Sequence, residues 1–329
     1  MTSKRPCGPR PAPRPPIFDE IASLPTESVN PRTAAIDEAP TLEILKLINR
    51  EDRLVAPAVA RKLPEMAAAV ELVVSAIKGG GRIFYVGAGT SGRLGVLDAA
   101  ECPPTFGTPP DLIQAIMAGG RGAVFRAREG SEDNRTAGAR AIGRKRVGPK
   151  DVVIGLAACR RTPFVVAALE RARKAGARTV YVTCNPVGEA CASSREQKSA
   201  PGPVADVVIA VDVGPEVITG STRMKSGTAE KLVLNMISTA SMIRLGKVYR
   251  NMMVDLRATS EKLRQRSIRT VMLAAGCSYR DALPVLKAAK GSVKVAMVMK
   301  LKGVTRRQAL GLLERSGGFV RKALREMVE

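Results

Sequence analysis

Residues 82–93, Arg-Ile-Phe-Tyr-Val-Gly-Ala-Gly-Thr-Ser-Gly-Arg, decide the fold of this chain. The apolar run at 83–86 is typical of a buried strand. Gly87 and Gly89 then allow a sharp turn, and apolar residues follow at helical spacing from Leu94. The stretch therefore predicts a strand, a loop of glycine and hydroxyl residues, and a helix N-terminus. Such a loop binds anions, because free N–H groups and the helix dipole point toward the same place.

The glycines of this loop also follow the G-x-G-x-x-G pattern of dinucleotide-binding folds. That interpretation requires an acidic residue at the end of the next strand, about 20 residues on. The next predicted strand, 112–117, is instead followed by Ala-Gly-Gly. The adjacent hydroxyls of Thr90 and Ser91 favour a phosphomonoester. The residues that we expect to bind phosphate here are Gly89, Thr90, Ser91 and Gly92.

Histidine is absent from the 329 residues. Its absence removes the usual general base and the commonest zinc ligand. Acid–base chemistry must therefore use Asp, Glu, Lys, Tyr or Cys. The six cysteines include no C-x-x-C pair. This pattern favours free thiols in a reducing compartment over a metal site or a disulfide framework.

The chain has a net charge of +23, which raises the question of a nucleic-acid partner. The basic residues are spread along the chain, no zinc finger or RNA-recognition motif is visible, and only ten residues are Phe or Tyr. We therefore interpret the charge as a basic surface that attracts anionic substrates. No apolar run approaches the roughly 18 residues of a membrane span, and the first 16 residues do not resemble a secretory signal. We expect no membrane anchor.

The chain divides into three predicted parts. Residues 1–35 are Pro-rich and predict a disordered tail. In residues 36–250, helices at 41–49 (with Thr41 as N-cap) and 54–78 precede alternating strands and helices, which predict a doubly wound parallel α/β sheet. Residues 251–329 predict a small helical domain. The predicted strands are 82–86, 112–117, 152–157, 179–183 and 207–211. The predicted helices after them are 92–101, 123–142, 163–175, 228–245, 256–275, 279–290, 293–302, 306–315 and 318–327.

Two further segments lie at the carboxyl edge of the predicted sheet, where such folds bind ligands. Segment 158–163 follows the third strand and contains Thr162-Pro163, a helix-start signal. Segment 214–228 gathers several hydroxyls, an arginine and a lysine before a helix, a composition that core packing does not require. The candidate ligand-binding residues in these segments are Arg161, Thr162, Ser221, Thr222 and Lys225.

Carboxylates are the remaining candidates for chemistry. Glu101 lies at the end of a predicted helix, and Glu129 and Glu132 are three residues apart and would share a helix face. Spacing alone favours a structural role for each over a catalytic one: a solvated acid at a helix end for Glu101, and pairing with nearby arginines for Glu129 and Glu132.

Five segments together resemble the N-acetylmuramic acid 6-phosphate etherases, a branch of the sugar isomerase (SIS) domain superfamily, which has a flavodoxin-like sheet. The likeness extends from about Thr33 to the end of the chain. The segments are Val-Gly-Ala-Gly-Thr-Ser-Gly-Arg-Leu-Gly at 86–95, Asp-Ala-Ala-Glu-Cys-Pro-Pro-Thr at 98–105, Glu-Gly-Ser-Glu-Asp at 129–133, Cys-Asn-Pro at 184–186 and Thr-Gly-Ser-Thr-Arg-Met-Lys-Ser-Gly-Thr-Ala at 219–229.

The resemblance implies cleavage of the D-lactyl ether of N-acetylmuramic acid 6-phosphate, which gives N-acetylglucosamine 6-phosphate and D-lactate. It implies that Glu101 and Glu132 are the acid–base pair, that no metal or cofactor takes part, and that the protein is a cytoplasmic homodimer. The chemistry of the substrate agrees with two carboxylates in these roles. The C1 aldehyde of the open-chain sugar acidifies the C2 proton, and the lactyl oxygen on C3 is β to that aldehyde. One base and one acid suffice for elimination, after which water adds.

Cys159-Arg160 stands where the family usually has Ser-Gly. The sequence leaves open whether Arg160 replaces the missing serine as a phosphate ligand or obstructs the pocket. Two other functions also remain open. One is an aldose–ketose isomerase with Glu216 as base, which the Glu-Cys-Pro-Pro at 101–104 argues against. The other is a non-catalytic phosphosugar-binding regulator, although the related glucokinase regulatory proteins have two SIS modules and this chain has length for one.

Overall fold

The computed structural model describes residue 18 and residues 21–186, 205–256, 258 and 260–327. Its centre is a parallel sheet of five mostly apolar strands, as expected for strands covered on both faces. They are β1 (Ile83–Gly87), β2 (Ile113–Met117), β3 (Val152–Leu156), β4 (Arg178–Thr183) and β5 (Val207–Ala210). Their order is β2-β1-β3-β4-β5. The prediction of a doubly wound, flavodoxin-like sheet is therefore confirmed.

The strand register sets the position of the loops. Gly87 of β1 pairs with Leu156 of β3, and Leu156 pairs with Val182 of β4. The carboxyl ends of these strands therefore lie at one edge of the sheet. The chain order reverses between β1 and β3, so the loops that follow these two strands border the crevice where doubly wound sheets bind ligands.

Three N-terminal helices precede the sheet: α1 (Thr41–Asp52), α2 (Val55–Ala60) and α3 (Leu63–Lys78). The single helix predicted over 54–78 is wrong, because Pro64 lies in the first turn of α3. Proline lacks an N–H and disfavours a helical residue before it, so it begins a helix more readily than it continues one. Thr41 is the first helical residue, and Pro40 takes the N-cap position.

Five helices follow the strands: α4 (Gly89–Phe106), α5 (Gly122–Phe125), α6 (Arg135–Arg144), α7 (Pro163–Lys174) and α8 (Lys225–Arg244). The helix predicted over 123–142 is two helices separated by a 3-10 turn, Ser131–Asp133. Gly130 interrupts it with φ +72°, a left-handed conformation that glycine adopts easily. The Glu129–Glu132 helix face predicted from spacing therefore does not form.

Part of the predicted tail is ordered. Residues 25–27 and 31–33 form 3-10 turns that place Thr26, Asn30 and Thr33 in the interior. Thr33 Oγ1 donates to the Val217 carbonyl at 2.8 Å. The prediction of disorder over 1–35 is therefore wrong for these residues, whose side chains hydrogen-bond to distant parts of the chain. Residues 1–17 lie outside the described residues.

The C-terminal part has a separate apolar core, which includes Val271, Met297 and Leu312. A short hairpin, β6 (Val248–Tyr249) with β7 (Met252–Met253), leads into it, and Ser260 caps the first helix, so the helix predicted from 256 begins at 261. The helices are α9 (Glu261–Ala275), α10 (Tyr279–Ala288), α11 (Val293–Lys302), α12 (Arg306–Arg315) and α13 (Val320–Ala323). None of the described helices is long and apolar enough to cross a membrane. We keep the division at 250/251 as a proposal.

Candidate functional site

Three loops meet at the carboxyl edge of the sheet. We call them the first loop (residues 87–93, after β1), the second loop (157–162, after β3) and the third loop (214–224, before α8). The N-terminal segment, residues 24–33, packs beside them, because the Gly220 amide donates to the Thr26 carbonyl at 3.2 Å. The predicted phosphate-binding residues therefore lie on loops at one edge of the sheet, with the exception of Lys225.

Close backbone packing fixes the shape of the first loop. A Cβ atom on Gly87 would lie 2.6 Å from the Gly92 amide nitrogen, and one on Gly92 would lie 2.7 Å from the Gly87 carbonyl oxygen. The packing of Gly92 against β1 therefore accounts for the glycine at this position, and its role toward phosphate stays a prediction. Gly89 has φ +52° and nothing within 4 Å of its Cβ position, so it faces open space.

The hydroxyls of the first loop lie toward α8. Ser91 is buried, with 8% of its surface exposed. A Cβ atom on Gly227 would lie 3.3 Å from Thr90 Cγ2, so Thr90 packs against the first turn of α8. The first loop therefore reaches the end of the third loop, as the phosphate-site prediction requires.

Cys159 joins the second loop, the third loop and the N-terminal segment. Its Sγ lies 4.0 Å from Thr222 Oγ1 and 3.9 Å from Glu27 Oε1. Burial raises the pKa of this thiol to about 11, and the Glu27 carboxylate acts in the same direction. The group is thus a neutral thiol at pH 7. Thr162 takes the N-cap position of α7, but its side chain makes no capping hydrogen bond.

Arg160 adopts φ +64°, a conformation that non-glycine residues rarely take. This backbone explains why the family usually has glycine here. Its guanidinium Nη1 donates to the Pro186 carbonyl at 3.0 Å, and its own carbonyl accepts from the Tyr181 hydroxyl at 2.7 Å. The side chain is therefore held by the residues that follow β4. Arg161 is half-buried on the same loop.

Lys225 is not at the open edge, which corrects its prediction as a phosphate ligand. Its side chain is fully buried, and Nζ donates to Glu51 Oε2 at 2.7 Å and to the Val213 carbonyl at 2.8 Å. Arg32 and Asn30 also donate to the Glu51 carboxylate. The lysine thus ties the start of α8 to α1 and to the N-terminal segment.

Glu216 caps helix α8 from inside the protein. Its carboxylate accepts hydrogen bonds from the Lys225 amide at 3.0 Å, the Ser226 amide at 2.9 Å and the Ser226 hydroxyl at 2.8 Å. The residue is completely buried. A carboxylate with these partners is not free to take a proton from a sugar, so the structure argues against the isomerase alternative that used Glu216 as base.

Glu132 lies beside the first loop. It borders a cleft of about 400 Å³, open to solvent, together with Gly89, Arg128 and Ser131. Burial raises the pKa of its carboxyl group, and the neighbouring Asp133 and Glu129 raise it further. Such a shift is common among acids that exchange protons at neutral pH. The structure thus brings one of the two predicted carboxylates to the candidate phosphate site.

Glu101 lies elsewhere. It is exposed on α4, twelve residues beyond Gly89. At a rise of 1.5 Å per residue, this spacing separates the two by about 18 Å along the helix. Leu97, one turn earlier on the same face, is 48% exposed. Glu101 of a single chain is therefore remote from the first loop and sits on a surface with exposed apolar side chains.

Two acids near the site were missed by the sequence interpretation. Glu27 lies in the segment predicted as disordered, and nothing in its local pattern indicates the contact with Cys159. Glu230 is completely buried in α8, and burial raises the pKa of its carboxyl group to about 8. A signal for Glu230 was present: it precedes Val233, Leu234 and Ile237 at the spacing of one apolar helix face.

Comparison with known proteins gives the same family along almost the entire chain. Residues 65–173 match the family described as the glucokinase regulatory protein N-terminal SIS domain. Among solved structures, a phosphoheptose isomerase from Francisella tularensis is similar, with a TM-score of 0.45 and 15% identity over 62% of this chain and 100% of that one.

The N-acetylmuramic acid 6-phosphate etherase of Salinibacter ruber is 55% identical over 309 residues, 94% of this chain and 96% of that protein. The etherase of Symbiobacterium thermophilum is 54% identical over 87% of this chain and 91% of its own length. Identity of this extent shows the family: the chain belongs to the N-acetylmuramic acid 6-phosphate etherases.

Proposed function

We propose that the protein cleaves the D-lactyl ether of N-acetylmuramic acid 6-phosphate, giving N-acetylglucosamine 6-phosphate and D-lactate. The observation that carries this proposal is the 55% identity with an etherase across 94% of the chain. The enzyme is a carbon–oxygen lyase that acts as a homodimer. Its cytoplasmic setting rests on the resemblance alone.

The reaction requires two proton transfers at adjacent carbons. A base removes the C2 proton of the open-chain sugar, an acid protonates the lactyl oxygen as it leaves C3, and water adds to the resulting unsaturated aldehyde. Glu101 and Glu132 are the pair proposed for these transfers, because a chain without histidine must use other groups and carboxylates with different surroundings can divide the two roles.

The position of Glu101 supports a shared site between two subunits. C2 of the sugar is six bonds from phosphorus, a span of at most about 8 Å with bonds of about 1.5 Å. Phosphate held at the first loop therefore keeps C2 far from Glu101 of the same chain, about 18 Å along α4. Leu97, one turn before Glu101 on α4, is 48% exposed and offers an apolar contact to a partner. We infer that the partner supplies Glu101.

The phosphate of the substrate is bound, in this proposal, between the first and third loops. Ser91 and Thr90 lie at the start of α4, where the helix dipole favours an anion. Thr222 approaches from the third loop, 4.0 Å from Cys159 of the second loop. The proposed ligands are Gly89, Thr90, Ser91, Gly92, Arg161, Thr162, Ser221 and Thr222.

Replacing Ser91 or Ser221 with alanine is expected to weaken phosphosugar binding. Each change removes a hydroxyl donor worth roughly 0.5–1.5 kcal/mol, and more where the acceptor is charged. Calorimetric titration with N-acetylglucosamine 6-phosphate measures the effect, and Ser28→Ala, an exposed serine outside the three loops, is the matched control. If the unphosphorylated sugar bound as tightly as the phosphosugar, the assignment of these loops would be wrong.

Substitutions of Cys159 and Arg160 are expected to have different effects on phosphosugar binding. Cys159→Ser should strengthen phosphosugar binding by roughly 0.5–1.5 kcal/mol, because a hydroxyl beside Thr222 is a better donor than a thiol. Arg160→Ala should change binding little, since its guanidinium donates to Pro186. Calorimetric titration with N-acetylglucosamine 6-phosphate measures both effects. A large loss of affinity in Arg160→Ala would show that the guanidinium moves into the site and replaces the family's serine.

The function itself is tested by incubation with N-acetylmuramic acid 6-phosphate and an assay for D-lactate. Two further measurements separate the alternatives. Conversion of an aldose phosphate with a hydroxyl on C2, such as glucose 6-phosphate, to the ketose phosphate would favour the isomerase. Tight binding of N-acetylmuramic acid 6-phosphate without lactate release would favour the phosphosugar-binding regulator.

A further inference from the structure

Glu230 lies one helical turn beyond Gly227, the residue of α8 that packs against Thr90 of the proposed phosphate site. It occupies the second turn of α8, which begins at the end of the third loop. Its residue surface is 1% exposed, and neither carboxyl oxygen has a regular hydrogen-bond partner among the described residues. An unpaired buried carboxyl group is costly. Its position close to the candidate ligand loops therefore calls for a role in the site.

The surroundings of Glu230 come from every element packed at this edge. Ser91 of α4 lies close enough to this carboxyl group to lower its pKa, without the geometry of a regular hydrogen bond. Cys159 of the second loop, Tyr181 of β4 and Cys184 after β4 lie close enough for its charge to raise the pKa of each. No cation among the described residues lowers the pKa of Glu230.

The protonation state of Glu230 sets the direction of the hydrogen bond that its carboxyl group would form with Ser91 once a phosphate is bound. A neutral carboxyl donates its proton to Ser91 Oγ, and the serine proton is then free for a phosphate oxygen. An ionised carboxyl only accepts, so it takes the serine proton and places a negative charge near the dianion. Burial holds the pKa of this group at about 8, which keeps it protonated at neutral pH.

We propose that Glu230 is a positioning residue whose protonated carboxyl holds Ser91 as a donor to the substrate phosphate. This inference rests on the proposed function. It adds a condition that the family resemblance does not supply: phosphosugar affinity depends on one buried proton that is not transferred in the reaction.

A loss of affinity at alkaline pH follows. If only the protonated form binds, the apparent dissociation constant rises in inverse proportion to the protonated fraction, about 30-fold between pH 7 and pH 9.5. The thiol of Cys159 titrates near pH 11, and burial also raises the pKa of the Tyr181 hydroxyl and of the Cys184 thiol. The phosphate monoester is already a dianion above its second pKa of about 6.

The test is calorimetric titration of the full-length protein with N-acetylglucosamine 6-phosphate from pH 7 to pH 9.5. Wild type should lose affinity about 30-fold. Glu230→Gln should keep its neutral-pH affinity across the range, because an amide N–H₂ donates to Ser91 at every pH. Glu71→Gln, which removes an exposed carboxylate paired with Arg244, is the matched control and should follow wild type.

Ser91→Ala provides a second readout should the buried substitution impair folding: its affinity should be lower and independent of pH. A wild-type profile that is flat, or one that Glu230→Gln reproduces, would overturn the inference. If the pH profile overturns the role of Glu230 but the protein still releases lactate at pH 7, the proposed function stands without this inference. If the protein neither releases lactate nor binds the phosphosugar at any pH, the proposed function fails and this inference with it.

Discussion

Glu101→Gln and Glu132→Gln should each lower lactate release by about 10² to 10⁴-fold, the usual contribution of a positioned proton donor or acceptor. A mixture of the two inactive variants should regain about a quarter of wild-type activity. Random exchange makes half of the dimers mixed, and each mixed dimer contains one site with both carboxylates when Glu101 comes from the partner. The measurement is D-lactate formation after subunit exchange.

The outcome of mixing distinguishes the two arrangements of the site. If both carboxylates came from the same chain, every site in the mixture would lack one of them and no activity would return. Glu129→Gln, a neighbour that also borders the cleft, is the control and should retain most of the activity. Near-normal turnover in either main variant would remove that residue from the proposed pair.

Solvent deuterium separates the roles of the two acids. A variant that still exchanges the C2 hydrogen of the substrate but releases no lactate has kept the base and lost the acid. The converse variant, which shows no C2 exchange, has lost the base. Because the structure gives Glu132 a raised pKa through burial and nearby acids, the pH at which its protonation changes the rate should lie above that of a solvated glutamate.

Lys225→Met should destabilise the fold by about 3–5 kcal/mol, because it leaves the buried Glu51 carboxylate without one of its cations. Urea unfolding at pH 7 measures this loss. Lys46→Met, which breaks an exposed pair with Glu43 at 3.4 Å, is the control and should cost less than about 1 kcal/mol. If Lys225→Met left the free energy of unfolding unchanged but abolished phosphosugar binding, Lys225 would be a phosphate ligand, as predicted from sequence.

The contacts of Glu51 with Arg32, Lys225 and Asn30 determine in which direction the stability of the protein changes with pH. Hydrogen bonds from Arg32, and then from Lys225 and Asn30, lower the pKa of Glu51 to about 2. A carboxyl group with a lowered pKa contributes stability above its unfolded value of about 4.3, and that contribution is lost as the pH falls toward 2. The difference between wild type and Lys225→Met should therefore be largest near neutral pH.

The sheet could be predicted from sequence because strands buried on both faces give short continuous apolar runs. All five predicted strands fall within two residues of the observed bounds. The helix predicted over 123–142 failed for a local reason, since Gly130 takes a left-handed backbone. The disorder predicted for residues 25–33 was wrong because of a contact distant in sequence: Thr33 donates a hydrogen bond to the carbonyl of Val217, 184 residues away.

The candidate site was predicted less completely than the fold. Hydroxyl side chains in the loops after buried strands indicate ligand binding at the carboxyl edge of a sheet, and Ser91 and Thr222 do lie at that edge. A lysine before a helix has the same appearance whether it binds phosphate or a buried acid, and the partner of Lys225 is 174 residues away in Glu51. The distance between Glu101 and the first loop was already implied by the helix predicted over 92–101, which in the structure begins three residues earlier, at Gly89.

The length of α4 connects catalysis to the concentration of the protein. In the proposed shared site, one helix holds the phosphate end of a site and, about 18 Å away, an acid that serves the neighbouring subunit. A monomer can therefore retain a phosphosugar without cleaving it. Turnover per polypeptide falls when the protein is diluted below its dimer dissociation constant, while ligand occupancy does not. Small molecules that separate the subunits would thus inhibit the reaction without competing for the sugar.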